Sequence, residues 1–275
     1  MAGRLVLVAT PIGNLGDLSP RATQALADAD LVACEDTRRT GKLLAHAGVV
    51  AAGLKVVNEH TEPTAAQEIA SMVAADKQVV LVTDAGTPAI SDPGARVVTA
   101  VLEAGGAVEA VPGPSAVLAA LVVSGLPTAR FCFEGFLPRK CRSRSERLEA
   151  LSTEPRTMVL YEAPHRLLRT LEELADVMGT ARQVAVVREQ TKLYEEVWRG
   201  VLGDAVMWAK ATSPRGEYVL VLRGCDAPPA PSERQIRAAL DAELSNGLSR
   251  RDAAFAVAAE LGVSRRVVYR LSLAE

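Results

Sequence analysis

The sequence predicts two α/β domains, the first on a parallel sheet and the second on a mixed sheet, followed by a small C-terminal helical appendage. Three observations carry this reading. Short apolar runs, Leu5 to Ala9, Val79 to Val82 and Ala107 to Val111, end abruptly in loops of small residues, as buried parallel strands do where they deliver loops to a ligand crevice. From about Thr128 to Gly224, strand-like runs recur with spacings too short for a helical crossover at every step, so the second sheet is mixed. The segment Asp226-Ala227-Pro228-Pro229-Ala230-Pro231 then reads as a stiff linker into residues 232–275, which read as helices.

Taken in order, the first domain, residues 1–125, alternates strand and helix. The strand Leu5 to Ala9 runs into Thr10-Pro11-Ile12-Gly13-Asn14, and Ser19-Pro20 then supplies a capping hydroxyl and a proline at the first helical position. Leu31 to Cys34 reads as the second strand, Thr40 to Ala47 as a helix closed by Gly48, Lys55 to Asn58 as the third strand and Ala65 to Ala75 as a helix. Val79 to Val82 leads to Thr83-Asp84-Ala85-Gly86-Thr87-Pro88, and Asp92-Pro93 repeats the capping device before a helix ending near Gly105. Ala107 to Val111 is the fifth strand. It leads through Pro112-Gly113-Pro114-Ser115 to a helix over Ala116 to Val123 that stops at Gly125-Leu126-Pro127.

The second domain, residues 126–225, has strands near Arg130 to Glu134, Thr157 to Glu162, Gln183 to Arg188, Glu195 to Arg199 and Tyr218 to Arg223, with one or two helices between them. In residues 232–275, Arg251 to Leu261 and Ser264 to Leu271 flank Gly262-Val263, which is helix-turn-helix spacing.

A chain of 275 residues with 49% hydrophobic and 23% charged residues is long enough for such an arrangement and ordinary for a folded protein. No apolar run approaches bilayer length and the first strand follows Met1 almost at once, so the expectation is a cytoplasmic protein without a membrane span. The four cysteines lack paired spacing, which argues against a disulfide framework and a zinc site, and no metal is expected. A formal net charge of −2 leaves any polyanion binding to local patches.

The three loops after the strands are built for close approach of a small ligand. Gly86 and Gly113 admit backbone, prolines stiffen the walls, and Ser115 sets a hydroxyl at a helix N-terminus. Such donors suit a ligand with a carboxylate and a ribose; a phosphate ligand calls for a glycine-rich or Walker loop, and neither follows the first strand. The competing reading is three tight turns with no ligand.

Thr10-Pro11-Ile12-Gly13-Asn14, Glu35-Asp36-Thr37-Arg38, Asp84-Ala85-Gly86-Thr87-Pro88 with Asp92-Pro93-Gly94, Pro112-Gly113-Pro114-Ser115 and Phe133-Glu134-Gly135-Phe136 follow one another in this order. Together they resemble the ribosomal RNA 2′-O-methyltransferase I group within the tetrapyrrole methylase superfamily, and the match covers nearly the whole chain. The resemblance implies a fold of tetrapyrrole methylase type, S-adenosylmethionine as methyl donor in a cleft between the two α/β domains, and a homodimer. It further implies the 2′-hydroxyl of a cytidine in the decoding region of 16S rRNA, within the small ribosomal subunit, as acceptor. By similarity, Ile12, Gly86, Thr87, Ile90, Ser115, Ala116, Glu162 and Val219 would line the cofactor pocket.

Transfer to a ribose hydroxyl needs placement of the reacting atoms and an acceptor for the hydroxyl proton. Glu35, His60 and Asp84 are the candidate bases, with Glu59 and Asp36 beside them, all at or just past strand ends. His60 reads equally as a surface-loop histidine. Glu35-Asp36 reads equally as structural, with Asp36 capping the next helix and Glu35 pairing with Arg38.

For RNA contact the candidates are Arg38 and the basic strip Arg139, Lys140, Arg142, Arg144 and Arg147, expected as a loop at the cleft mouth close to the aromatics Phe133 and Phe136. Arg250, Arg251, Arg265, Arg266 and Arg270 give the C-terminal helices a possible second phosphate-binding surface. Two rival functions remain at this point: a small-molecule methylase of the same superfamily acting on a tetrapyrrole of precorrin type, and a noncatalytic RNA-binding ribosome-assembly protein.

Overall fold

The structure is a computed structural model in which residues 3–226 and 231–273 are described. Most of the predicted linker, residues 227–230, lies outside the described residues. The chain forms two compact units, residues 1–225 and residues 226–275.

The first unit opens with β1 (Arg4–Val8), α1 (Pro20–Ala27), β2 (Leu31–Cys34), α2 (Thr37–Ala47), β3 (Leu54–Val56), α3 (Glu62–Ala74), β4 (Gln78–Leu81), α4 (Ala95–Glu103), β5 (Ala107–Val111) and α5 (Ala116–Val123). The five strands form one parallel sheet in the order β3-β2-β4-β1-β5. Its helices cover both faces, so side chains bury alternately to either side. Leu5, Val79 and Leu81 pack with α3 and α4, whereas Val6, Val8, Val80 and Val82 pack with α1 and α2. The capping chemistry of α1 is as the sequence predicts, Ser19 accepting from Ala22 N before Pro20. That of α4 is not: Gly94 holds the N-cap position and Asp92 lies upstream of it.

The chain continues with β6 (Phe131–Phe136), α6 (Cys141–Ser152), β7 (Thr157–Glu162), α7 (Leu167–Met178), β8 (Gln183–Arg188), β9 (Glu196–Val201), α8 (Leu202–Ala211) and β10 (Tyr218–Leu222). The second sheet has the order β6-β7-β10-β8-β9 and is mixed, as expected: β6 and β7 are parallel, and the remaining pairs are antiparallel. Three helices accompany it rather than one or two, because the basic strip is helical as α6.

Alternation along the second sheet separates two cores. Met158, Leu160, Val184, Val186, Leu220 and Leu222 face the core built with α6, α7 and α8, while Val159, Ala185, Val187, Val219 and Val221 face Val117, Ala120 and Leu121 of α5. The last helix of the first sheet is thus the cover of the second. That shared helix fixes one sheet against the other within the unit.

Residues 226–275 contain α9 (Glu233–Ser245), α10 (Arg250–Glu260) and α11 (Arg265–Leu273) around their own core of Ile236, Leu240, Ala253, Ala254, Val257 and Val268. A capping box between Ser232 and Gln235 starts α9, and Ser249 caps α10.

Candidate active site

A cavity of about 310 Å³ lies outside the carboxyl ends of β1, β4 and β5, which are neighbours in the first sheet, and its volume is that of a small-molecule site. All eight residues expected in a cofactor pocket, Ile12, Gly86, Thr87, Ile90, Ser115, Ala116, Glu162 and Val219, line it. The first loop is tied to the second by Thr10 N donating to Gly86 O and Gly86 N to Thr10 O. Gly86 has φ +84, a conformation that side chains resist, and a Cβ there would touch Ile12 Cγ2 at 3.5 Å. Ser115 caps α5 through Leu118 N, so the first N–H groups of that helix end at the cavity.

The opposite wall comes from the second sheet. Tyr161, Glu162, Val187, Tyr218 and Val219 line it, with Phe136 half exposed beside Tyr161, ring centroids 5.5 Å apart. Phe136 reaches this place because β6 carries a bulge at Gly135, φ +61, where a Cβ would stand 3.2 Å from Ser91 Oγ. Glu162 is buried and fully engaged: its carboxylate accepts from Ala163 N at 2.8 Å and from the Thr170 hydroxyl, and lies 3.3 Å from Arg166 Nε. It shapes the wall as a fixed acceptor.

The three candidate bases are placed differently from the expectation, since none of them lines the cavity. His60 is removed from the site. It sits exposed in the turn after β3, the sheet's outer strand, while the cavity is fed from β4, β1 and β5. Asp84 turns to the start of α2, accepting from Asp36 N at 3.2 Å with Arg39 Nε 3.4 Å away. Glu35 accepts from Thr83 Oγ1 at 3.2 Å and does not pair with Arg38. Asp36 takes both structural roles instead, capping α2 through Arg38 N and holding the Arg38 guanidinium at 2.7 Å, which keeps its carboxyl down at about 2.

The remaining carboxylates of the lining are Glu217 and Asp92, the latter read from sequence as a helix cap. Burial pushes the Asp92 carboxyl up to about 6, with Glu35 and Asp84 adding repulsion and the neighbouring Thr83 hydroxyl, whose one proton it shares with Glu35, working against the shift. The loop that presents it is strained, Ala89 and Ser91 both holding positive φ (67 and 62). Buried Glu62 anchors its end, accepting from Gly94 N at 2.8 Å and Arg96 N at 3.0 Å. No periodicity or capping rule exposes such an anchor, because Glu62 begins a helix four residues past the third strand's expected end.

The basic strip is also corrected. Arg139, Lys140 and Arg142 are exposed, Arg142 pairing only with Glu146 one turn away, and Arg147 pairs with Glu134. Arg144 is 2% exposed and unavailable to RNA. Its guanidinium donates to Glu173, to Pro138 O and to the Thr170 hydroxyl, which in turn donates to Glu162. Arg38 is exposed, with its charge shared with Asp36.

In the C-terminal unit, Arg251, Arg265, Arg266 and Tyr269 surround one shallow depression, and the Arg265 guanidinium lies 5.5 Å from the Phe255 ring centre. No helix among the described residues is long and apolar enough to cross a membrane.

A family model described as Tetrapyrrole (Corrin/Porphyrin) Methylases matches residues 4–206. The chain is 45% identical to the ribosomal RNA small subunit methyltransferase I of Synechocystis sp., over 98% of this chain and 98% of that protein. It is 42% identical to the protein of the same name from Escherichia coli O157:H7, over 98% of this chain and 95% of that one. Among solved structures, uroporphyrin-III C-methyl transferase from Thermus thermophilus, complexed with S-adenyl homocysteine, superposes with a TM-score of 0.56 at 21% identity, covering 80% of this chain and 97% of that one. That likeness concerns the fold.

Proposed function

The chain belongs to the tetrapyrrole (corrin/porphyrin) methylase family, and on that premise we propose that it is an S-adenosylmethionine-dependent methyltransferase acting on the ribose 2′-hydroxyl of a cytidine in the decoding region of 16S rRNA. One observation carries the choice of substrate. Relatives named ribosomal RNA small subunit methyltransferase I match 98% of the chain, so the match extends into the C-terminal helical unit as well as the methylase body.

The residues of the cavity suit this cofactor. Ile12, Ile90, Val187 and Val219 offer apolar walls for an adenosyl group, Gly86 and Ala116 leave backbone open to it, and the N-terminus of α5 at Ser115 favours a carboxylate. Bound there, S-adenosylmethionine supplies an electrophilic methyl group. The chain contributes the position of the acceptor and the exclusion of water by the second-sheet wall, and placement of this kind is worth several kcal/mol of barrier. Phe136, half exposed at the rim, offers a face on which a splayed base stacks. Arg139, Lys140 and Arg142 at the start of α6 and the Arg251, Arg265 and Arg266 cluster provide phosphate contacts. The protein acts in the cytoplasm as a homodimer, for which exposed Leu118 and Val122, one turn apart on α5, offer an apolar face.

Purified small ribosomal subunits lacking the modification, incubated with the protein and methyl-labelled S-adenosylmethionine, are expected to carry label on a cytidine ribose by nucleoside mass spectrometry. Label absent from rRNA but present on a precorrin-type acceptor would reverse the choice of substrate. RNA binding without cofactor binding would reduce the protein to an assembly factor.

A further inference from the structure

We propose that Asp92 is the general base that takes the proton from the acceptor hydroxyl, an inference that rests on the methyltransferase reading above. The cavity lining contains three carboxylates, Asp92, Glu162 and Glu217. Glu162 is held by Arg166, Thr170 and Ala163 N, and Glu217 lies 3.0 Å from Lys192 Nζ. Both are committed as acceptors. Asp92 alone has no cation among the groups acting on it, which are the Thr83 hydroxyl, Glu35 and Asp84 from the ends of β2 and β4. On the second-sheet side the titratable neighbour is Tyr161, whose phenol burial pushes up to about 12 with Asp92 adding to the shift, so it stays protonated and is no competing base.

The surrounding backbone is arranged to keep Asp92 there. Ala89 and Ser91 hold strained positive φ, Gly94 is pinned by buried Glu62, and Ser91 packs where the Gly135 bulge leaves room. Such strain persists only where neighbouring structure over-determines it. A carboxyl titrating near 6 is mostly ionised at neutral pH yet more basic than an ordinary aspartate, which is the compromise a general base requires.

In the step, the ribose oxygen forms its bond to the methyl carbon as the carbon–sulfur bond breaks. The bonding pair stays on sulfur, cancelling its positive charge, and the hydroxyl proton moves to an Asp92 carboxylate oxygen and thence to solvent.

The test compares the wild-type protein with Asp92→Asn and Glu35→Gln in three measurements. These are single-turnover methyl transfer to small subunits between pH 5 and 8, calorimetric affinity for S-adenosylhomocysteine, and carbon-13 NMR titration of the Asp92 carboxyl without ligand. Asp92→Asn is expected to lower the rate about a hundredfold to ten-thousandfold while leaving S-adenosylhomocysteine affinity nearly unchanged. The wild-type rate is expected to fall as pH drops through about 6, the pH at which the NMR signal titrates. Glu35→Gln removes a repulsive charge, so it moves both midpoints to lower pH, a result independent of whether Asp92→Asn folds. Equal transfer by wild type and Asp92→Asn, or an Asp92 titration at the ordinary value of 3.8, overturns the inference alone. No transfer by the wild-type protein overturns the substrate reading and the inference with it.

Discussion

At the scale of single residues, Asp92 places a cost on the fold that its position makes measurable. Its folded-state value of about 6 lies above the ordinary 3.8, so the folded chain binds this proton more tightly than the unfolded chain. The associated stability is fully present below pH 3.8 and is lost as pH rises through 6. For this partly buried group, residual solvent screening reduces the effect to about 1 kcal/mol. Asp92→Asn is therefore expected to raise the melting temperature of the α/β unit by about 2–4 °C at pH 8 and to change it little near pH 3.5. Equal melting temperatures at pH 8 would show that the carboxylate is solvated as usual. Gly86 makes the opposite case, a residue whose lack of a side chain leaves the proposed cofactor cavity open. Gly86→Leu strains a backbone at φ +84 and directs side-chain atoms toward Ile12 across the cavity, so S-adenosylhomocysteine affinity should fall at least about tenfold, or 1.4 kcal/mol. Unchanged affinity by calorimetry would place the cofactor elsewhere.

At the scale of elements, α6 separates what the sequence discloses from what it conceals. Its inward positions are Arg144, Leu148 and Leu151, a helical spacing. One of the three is an arginine that pattern reading assigns to solvent, and the helix disappears into an apparent basic loop. The buried guanidinium shows its purpose only with its acceptors, Glu173, Pro138 O and Thr170, which come from outside α6. Asp92-Pro93 misleads in the same way, resembling the Ser19-Pro20 cap while the αL turns at Ala89 and Ser91 carry it into the cavity. By contrast β1, β4 and β5 and their loops are legible, because buried parallel strands are continuously apolar and the small residues after them leave a plain boundary. The eight cavity residues are expected from the family resemblance, six of them in or just after those loops and two, Glu162 and Val219, on strands of the second sheet. The distinction within α6 predicts two phenotypes. Replacing Arg139, Lys140 and Arg142 by glutamine should weaken RNA binding and reduce the steepness of log affinity against log salt by about 2, with the melting temperature unchanged. Arg144→Gln should leave that slope alone and destabilise the fold by about 2–3 kcal/mol through its stranded buried partners. An Arg144 variant of normal stability in urea unfolding would remove it from the framework of the second sheet.

At the scale of the molecule, the proposed function assigns chemistry and substrate capture to different units. Every cavity residue lies between Ile12 and Val219, inside the unit that ends at Cys225. That unit closes its own cores: both faces of the parallel sheet are covered by α1 to α4, and both faces of the mixed sheet by α5 to α8. Residues 226–275 close a core of their own around Ile236 and Val257. Hydrophobic burial is the main source of stability and belongs here to each unit separately. A protein ending at Cys225 is therefore expected to fold cooperatively and to bind S-adenosylhomocysteine within about twofold of the full chain, or 0.4 kcal/mol. It loses the Arg251, Arg265, Arg266 and Tyr269 cluster, and with it the phosphate contacts proposed to hold the small subunit, so RNA affinity falls and its salt dependence becomes shallower. The informative comparison is single-turnover transfer at saturating subunit concentration. If the C-terminal helices only capture RNA, the truncated protein reaches the full-length rate once saturated, and the loss lies in apparent affinity. A rate that stays low at saturation would mean that these helices also set the acceptor ribose in place and so share in the chemistry.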